Sequence, residues 1–362
     1  MTAGLLDDIG ELVSCESPSG DVEAVTRCAD LVDELALRRI DSKAERIVVA
    51  GRPHLRWQFG TPRVVLVGHL DTVWPVGTLD RWPFEIAGDR MTGPGVFDMK
   101  TGLVQLFAAL QAQDDLAGIA ILVTSDEEVG STTSQELIET TCRGARAALV
   151  LEPSADGALK IARKGVGMFT VDVHGRAAHA GLEPHNGINA TVESAHQILA
   201  IAALARPEIG TTVTPTVMTS GTTSNTVPAD ARLSVDVRAE TTAEMRRVEA
   251  ALQSLSPQLP GAAVKTVAVS VRQPLERAMS AELFDRVNRL AAELGLPSLD
   301  GVSVGGGSDG NITAGLGVPT LDGLGAVGAN AHAEGEWAST SALPERTALV
   351  AALVRDLLRE TA

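Results

Sequence analysis

The sequence predicts an α/β protein: a doubly wound, mostly parallel sheet, interrupted by an inserted α+β domain of split βαβ (ferredoxin-like) order. Three observations carry this. Short continuous apolar runs at 64–67, 119–124 and 147–151 read as strands buried on both faces, and helical patterns separate them. Beyond residue 164 the strands alternate as half-exposed strands do, in the order β-α-β-β-α-β. Helical spacing then resumes at 281–294, so the first domain is discontinuous. The expected boundaries are 1–163 and 273–362 for the first domain and 164–272 for the insertion.

Taken in order, apolar residues at 5–13 recur at helical spacing until S-P-S-G (17–20) breaks the pattern, and a second helix follows over 22–37. Residues 46–49 and 64–67 read as strands. A Pro/Gly-rich connection over 74–94 leads to Asp98, and 101–113 reads as a helix. The strand 119–124 ends in Asp126-Glu127-Glu128, a short helix covers 134–140, and the strand 147–151 ends in Glu152-Pro153. In the insertion, 168–173, 211–219, 231–239 and 264–271 are strands, with helices over 188–204 and 242–255. A glycine-rich run, V-G-G-G-S-D-G-N (304–311), follows the helix 281–294, and 343–358 forms a closing helix.

Composition excludes several functions. The formal net charge of −16 argues against non-specific binding to nucleic acid or anionic lipid. No apolar run approaches the roughly 20 residues of a membrane span. The start, M-T-A-G-L-L-D-D, lacks a basic, apolar leader. Cys15, Cys28 and Cys142 show no C-x-x-C spacing, which points to a reducing, cytoplasmic setting. G-x-G-x-x-G is missing after the first buried strand, V-L-V-G-H-L-D, which argues against a dinucleotide-binding protein.

The chemistry concentrates between Val64 and Pro153, with His332 as a distant member. Of the six candidate residues there, His69, Asp71, Asp98, Glu127, Glu128 and Glu152, four sit at or just past strand ends, where open α/β sheets place ligands. In H-L-D, residues two apart on an extended strand end share a side. His69 can then bind a metal through one ring nitrogen while Asp71 accepts the proton of the other. A satisfied loop histidine beside a capping aspartate is the plainer alternative. Asp98, after T-G-P-G-V, is either a helix N-cap or a carboxylate bridging two cations about 3.5–4 Å apart. Adjacent Glu127 and Glu128 diverge in an extended segment, which suits one ligand and one general base, or else a solvated acidic turn. Glu152, against the apolar A-L-V-L, needs compensation for its charge. His332 and His179 stand in bland glycine- and alanine-rich loops.

Jointly, G-H-L-D-T-V-W-P-V-G, G-P-G-V-F-D-M-K, T-S-D-E-E-V-G-S, L-E-P, G-R-A-A-H-A-G, S-N-T-V-P-A-D-A-R-L-S-V-D-V-R, G-G-G-S-D-G-N and A-H-A-E-G-E resemble, in order, the M20 family of zinc peptidases and deacylases, in its glutamate carboxypeptidase branch. The resemblance implies two zinc ions, with cobalt or manganese as alternatives for such donors. Asp98 would bridge them, His69 and Glu152 would complete one ligand set, and Glu128 with His332 the other. Glu127 would be the base for a metal-bridged hydroxide, and Asp71 would orient His69. The inserted domain would serve as lid and dimerisation domain, with His179 reaching a neighbouring subunit's site. Asn225, Arg238, Gly306, Gly307 and Ser308 would hold the substrate's free carboxylate. Relatives often carry glycine at the position of Thr101 and T-D in place of S-D at 308–309, and this chain has no tyrosine.

The expected function is hydrolysis of an amide bond beside a free carboxylate, most simply as a glutamate carboxypeptidase-like exopeptidase acting on a small peptide or N-acyl amino acid. An N-acyl-amino-acid deacylase or a dipeptidase shares the same site. A catalytically silent, dimeric ligand-binding relative is the alternative of another class; loss of a ligand would favour it, and every ligand is present.

Overall fold

The computed structural model describes residues 2–359. The chain divides into two compact units: Met1–Ala162 with Arg277–Val304 and Ser308–Ala362, and Arg163–Glu276 with Gly305–Gly307. Residues 305–307, expected in the last segment of the first domain, thus group with the second unit.

The first unit opens with α1 (Thr2–Ser14) and α2 (Val22–Ile40), followed by β1 (Glu45–Val49), β2 (Arg52–Gln58) and β3 (Val64–His69). The hairpin of β4 (Glu85–Ala87) and β5 (Arg90–Thr92) precedes α3 (Thr101–Gln111) and β6 (Ile119–Thr124). Next come α4 (Gln135–Cys142), β7 (Ala147–Val150) and β8 (Leu159–Arg163). The central sheet runs β1-β2-β6-β3-β7 and ends on β16 (Thr320–Leu321). The pairings β3–β6, β3–β7 and β7–β16 are parallel, whereas β1–β2 and β2–β6 are antiparallel.

This sheet is covered on both faces, which is why its central strands read as unbroken apolar runs. Along β3, Val64 and Leu66 pack with residues of α1, α2 and α3. Val65 and Val67 pack with Leu137 and Ile138 of α4. Period-2 alternation therefore exists in β3, but both directions are core. Asp21 caps α2 by accepting from Ala24 N at 2.9 Å, which explains why the helix starts after the S-P-S-G turn. Strand β2, R-P-H-L-R-W-Q, was not expected. Its mixed polarity hides a strand whose His54 is fully buried yet satisfied, 3.0 Å from Thr133 Oγ1 and accepting from Ser125 N at 3.3 Å.

The second unit contains β9 (Gly165–His174), β10 (Ala178–His179), α5 (Ala190–Ala202), β11 (Thr212–Ser220), β12 (Thr226–Val227), β13 (Asp230–Ala239), α6 (Thr242–Gln253) and β14 (Ala263–Arg272). Its sheet is antiparallel throughout, in the order β11-β13-β9-β14. Here alternation survives. Phe169, Val171 and Val173 with Leu233, Val235 and Val237 form a core with Ile201 of α5 and Met245, Val248 and Leu252 of α6.

The remainder of the first unit supplies α7 (Arg277–Glu293), β15 (Gly301–Val304), which pairs with β8, and α8 (Asp309–Gly315). It ends with β17 (Gly328–Ala329), β18 (Trp337–Ser339) and α9 (Ala342–Arg359). A small antiparallel sheet runs β17-β18-β5-β4. No helix among the described residues is long and apolar enough to cross a membrane.

All three cysteines are free. The Cys15 thiol is lowered to about 6, chiefly by its hydrogen bond with Cys28, with Lys100 and Arg27 adding to this against burial. Burial pushes Cys142 up to about 12. Only the thiolate is a good nucleophile. Iodoacetamide at pH 7.5 is therefore expected to modify Cys15 and spare Cys142. Peptide mapping checks this, and equal labelling of both would contradict it.

Candidate metal centre

The three parallel strands β6, β3 and β7 lie side by side, with His69 opposite Thr124 and Val67 opposite Val150. Their C-terminal ends therefore deliver His69, the 126–128 turn and Glu152 to one edge of the sheet. Asp98 and His332 arrive by another route. Pairing of β18 with β5 sets Trp337 against Thr92, which brings the loops 93–98 and 330–336 together. His332 occupies the loop between β17 and β18 with φ 61, a left-handed backbone that costs a non-glycine residue energy. Gly95 also needs its own geometry: its φ is 75, and a Cβ there would stand 2.6 Å from Thr72 Cγ2.

The geometry around Asp98 is two-sided. Its Oδ1 lies 3.4 Å from His69 Nε2, and its Oδ2 lies 3.3 Å from His332 Nε2. Glu152 Oε1 is 3.3 Å from the same His69 nitrogen, and Glu128 Oε2 is 3.0 Å from His332 Nε2. One carboxylate thus faces two histidine–glutamate pairs with one oxygen each. Ligand atoms of His69, Asp98 and Glu128 all lie within 4.8 Å of one another, as do those of His69, Glu127 and Glu152.

Asp71 acts differently from the expected carboxylate contact. His69 Nδ1 is 2.9 Å from the main-chain oxygen of Asp71 and 3.5 Å from its Oδ1. Its carboxylate instead anchors the 126–128 turn: Oδ1 accepts from Glu127 N and Oδ2 from Glu128 N, both at 3.2 Å. Ser19 Oγ donates to Oδ2 at 2.6 Å. One aspartate therefore positions the ring through its backbone and both glutamates through its side chain.

Electrostatics follow from burial. Asp71, Asp98, Glu127, Glu128 and Glu152 crowd around two imidazoles. Burial opposes charge on His69, but Asp71, Asp98 and Glu152 outweigh it and raise its pKa well above the ordinary value. Asp98 and Glu128 raise His332 to about 10. Burial pulls Asp98 upward, yet both histidines and Lys160 hold it below the usual carboxylate range. The site thus draws positive charge to itself. His69 Nε2 and Asp98 Oδ1 are buried without a hydrogen-bond partner among the described residues, although they face each other. Two such atoms, with mixed imidazole and carboxylate donors, fit divalent cations of the zinc type.

Sequence reasoning missed two residues here. Glu336 is fully buried; its carboxylate accepts from Phe97 N and Asp98 N at 2.8 Å, Gly95 N at 3.0 Å and Trp74 Nε1 at 2.9 Å. It holds the loop that presents Asp98. Burial raises it to about 7, against those hydrogen bonds. Lys160 Nζ lies 3.7 Å from Glu152 Oε2. Glu336 follows His332 by four residues in A-E-G-E, a signal that spacing alone did not rank above a solvated loop.

The other expected residues fall elsewhere. In the second unit, His179 on β10 is exposed, and its Nδ1 accepts from Gly181 N and Leu182 N at 3.1 Å. Ala180 N donates to Asn225 O at 2.9 Å, so His179 and Asn225 are brought together on the β10–β12 ribbon. Arg238, on β13, spends its planar fork on Asp236, with two contacts of 3.0 Å. The carbonyls of Gly306 and Gly307 accept from Arg163 Nη1 at 3.1 and 3.4 Å. Ser308, in the first unit, is fully buried: its Oγ donates to Asp322 at 2.6 Å and accepts from Gly310 N at 3.0 Å. Its hydroxyl caps α8.

A partly buried cluster of histidines and carboxylates, gathered at the parallel-strand ends of a doubly wound sheet and the loops beside them, defines a metal-dependent hydrolase. Residues 65–356 match the model of peptidase family M20/M25/M40, and the chain belongs to that family of metallopeptidases and amidohydrolases. It is 28% identical to carboxypeptidase G2 of Pseudomonas sp. (strain RS-16), over 98% of this chain and 89% of that protein. It is 31% identical to succinyl-diaminopimelate desuccinylase 2 of Shewanella loihica, over 54% of this chain and 58% of that protein. The fold matches a tripeptidase from Staphylococcus aureus (TM-score 0.75, 20% identity, 99% of both chains). It also matches the M20 metallo-carboxypeptidase Sso-CP2 of Sulfolobus solfataricus (TM-score 0.72, 15% identity, 97% and 98% covered).

Proposed function

We propose that this chain is a di-zinc, glutamate carboxypeptidase-like exopeptidase that cleaves an amide bond beside a free carboxylate. The observation that carries the reading is the division of Asp98 between two histidines, at 3.4 Å from His69 and 3.3 Å from His332. His69, Glu152 and one oxygen of Asp98 would hold one cation; His332, Glu128 and the other oxygen would hold its neighbour. When bound, such a pair supplies Lewis acidity that polarises the scissile carbonyl and acidifies water. Glu127 takes the proton of the attacking water and returns it to the leaving nitrogen. Likeness to carboxypeptidase G2 along nearly the whole of both chains supports the exopeptidase branch.

The second unit serves as lid and dimerisation domain in this reading. Its element order, β9-α5-β11-β13-α6-β14, supports the ferredoxin-like assignment. The Nδ1 of His179 accepts two backbone N–H groups, which leaves the proton on Nε2. That N–H suits stabilisation of a developing oxyanion in a neighbouring subunit's site. Asn225, Arg238 and the backbone of Gly306 and Gly307 receive the substrate carboxylate, Arg238 by exchanging Asp236 for it. Sedimentation tests dimerisation: a fully active monomer excludes action in trans. Free thiols agree with a cytoplasmic setting. N-acyl-amino-acid deacylation is the second reading, favoured by the likeness to desuccinylases and an acetylornithine deacetylase.

The test is metal content per chain, with hydrolysis of N-acyl-glutamates and other N-acyl amino acids before and after chelation. About two zinc ions per chain are expected, with cleavage lost on chelation and restored by zinc. Preference for a C-terminal glutamate supports the exopeptidase branch, and preference for one acyl group supports the deacylase. Cleavage that survives complete metal removal overturns the mechanism.

A further inference from the structure

A second ligand-sized cavity lies wholly within the first unit. Its volume is about 280 Å³, just below the roughly 300–1,000 Å³ of ligand pockets and so suited to a small molecule, and it includes none of the metal-centre residues. Arg346, in the first turn of α9, contributes to its wall and is 6% exposed. Its Nη2 donates to the carbonyl of Gly157, but its Nη1 is buried and has no partner among the described residues. Among the described residues no ion pair neutralises it. A buried guanidinium without a counter-charge carries a desolvation cost of several kcal/mol. Burial lowers it to about 10, with Glu345 pulling the other way.

The remaining lining has two further characters. Asp156, Asp300 and Glu345 line the same cavity and are exposed, so negative charge sits at the open side and positive charge at the buried side. Leu296, Leu299 and Leu349 provide an apolar wall. A simple anion suited to Arg346 would be repelled by three carboxylates, and a simple cation would meet the guanidinium. A molecule with a carboxylate at one end, an ammonium beside it and an aliphatic branch matches all three surfaces.

We propose that this cavity binds a free aliphatic amino acid as its zwitterion. The carboxylate meets Arg346, the ammonium meets the acidic rim, and the side chain lies on the leucines. Such a ligand is also what an exopeptidase or deacylase releases, so the site is placed to report accumulated product; binding itself does not depend on that activity.

Calorimetric titration of L-leucine into the metal-loaded enzyme tests the proposal. Arg346→Gln is expected to weaken one leucine site at least about tenfold, the loss of a charge-assisted hydrogen bond, while kcat/KM for hydrolysis stays within about twofold. Leucinamide and N-acetyl-leucine, each lacking one charge, should bind wild type at least about tenfold more weakly at that site. A leucine site at the metal centre would survive Arg346→Gln, which separates the two. Should that variant fail to fold, the exposed triple change D156N/D300N/E345Q serves instead: leucine binding should weaken and N-acetyl-leucine binding should not. Absence of leucine binding to wild type, or unchanged binding in the folded variants, overturns the proposal.

Discussion

Replacing Glu127 by Gln is expected to leave the metal content unchanged and to lower kcat by roughly 10²–10⁴-fold, with KM nearly constant. The isosteric amide keeps the backbone hydrogen bond from Glu127 N to Asp71 Oδ1, so the turn itself is preserved. What disappears is the carboxylate oxygen that, in the proposed mechanism, accepts the proton of the attacking water. The ligand atoms of Glu127, His69 and Glu152 lie within 4.8 Å of one another, close enough for this role beside a cation held by His69 and Glu152. Metal analysis together with steady-state kinetics decides the matter. A loss smaller than tenfold at full metal content removes Glu127 from the chemistry, and loss of a cation along with activity makes it a ligand instead.

Glu336→Ala is expected to combine the largest loss of stability with a loss of metal affinity. The carboxylate receives three backbone N–H groups and the Trp74 indole, all in a fully buried setting. Each buried donor left without a partner costs about 1–3 kcal/mol, and water entering the space recovers part of that. A net destabilisation of about 3–5 kcal/mol follows, comparable to breaking a buried charged contact. Because Phe97 N and Asp98 N are among the donors, the loop carrying Asp98 should loosen, and metal affinity should fall about 10–100-fold. Glu336→Gln, which keeps one acceptor oxygen, should lie between wild type and alanine on both measures. Thermal melting and competition with a chelator well below the melting point separate the two effects. Unchanged affinity in a less stable chain would confine Glu336 to packing.

The parts of the site legible in the sequence are those where strand physics is loudest. V-V-L-V-G-H and I-A-I-L-V-T are buried on both faces, so composition alone marks their ends, and the chemistry sits at those ends. The small sheet that carries Asp98 and His332 was invisible, because strands β4, β5, β17 and β18 are two or three residues long. Such lengths show no period, and the segment 74–94 looked like a Pro/Gly-rich connection. Glu336 escaped for a related reason. Its importance arises from a loop 238 residues away that folds around it, and no local pattern encodes that. For Asp71 the spacing pointed to His69, but an H-x-D pattern does not distinguish a main-chain carbonyl from a carboxylate at 2.9 against 3.5 Å. The capping role of Ser308 was not legible, because a hydroxyl in a glycine-rich run suits ligand binding and helix capping equally well.

The split of the first unit around the second also sets a timetable for synthesis. Glu152 leaves the ribosome 180 residues ahead of His332. At about 5–20 residues per second that gap lasts roughly 10–40 s. During it the nascent chain holds His69, Asp98, Glu127, Glu128 and Glu152 but lacks the histidine, the anchoring Glu336 and the strand β18 that complete their enclosure. The second unit, an antiparallel sheet with its own core, is continuous apart from Gly305–Gly307 and so emerges nearly whole within that interval. Completion of the candidate metal centre is therefore a late event in the life of the chain, gated by translation of the final segment.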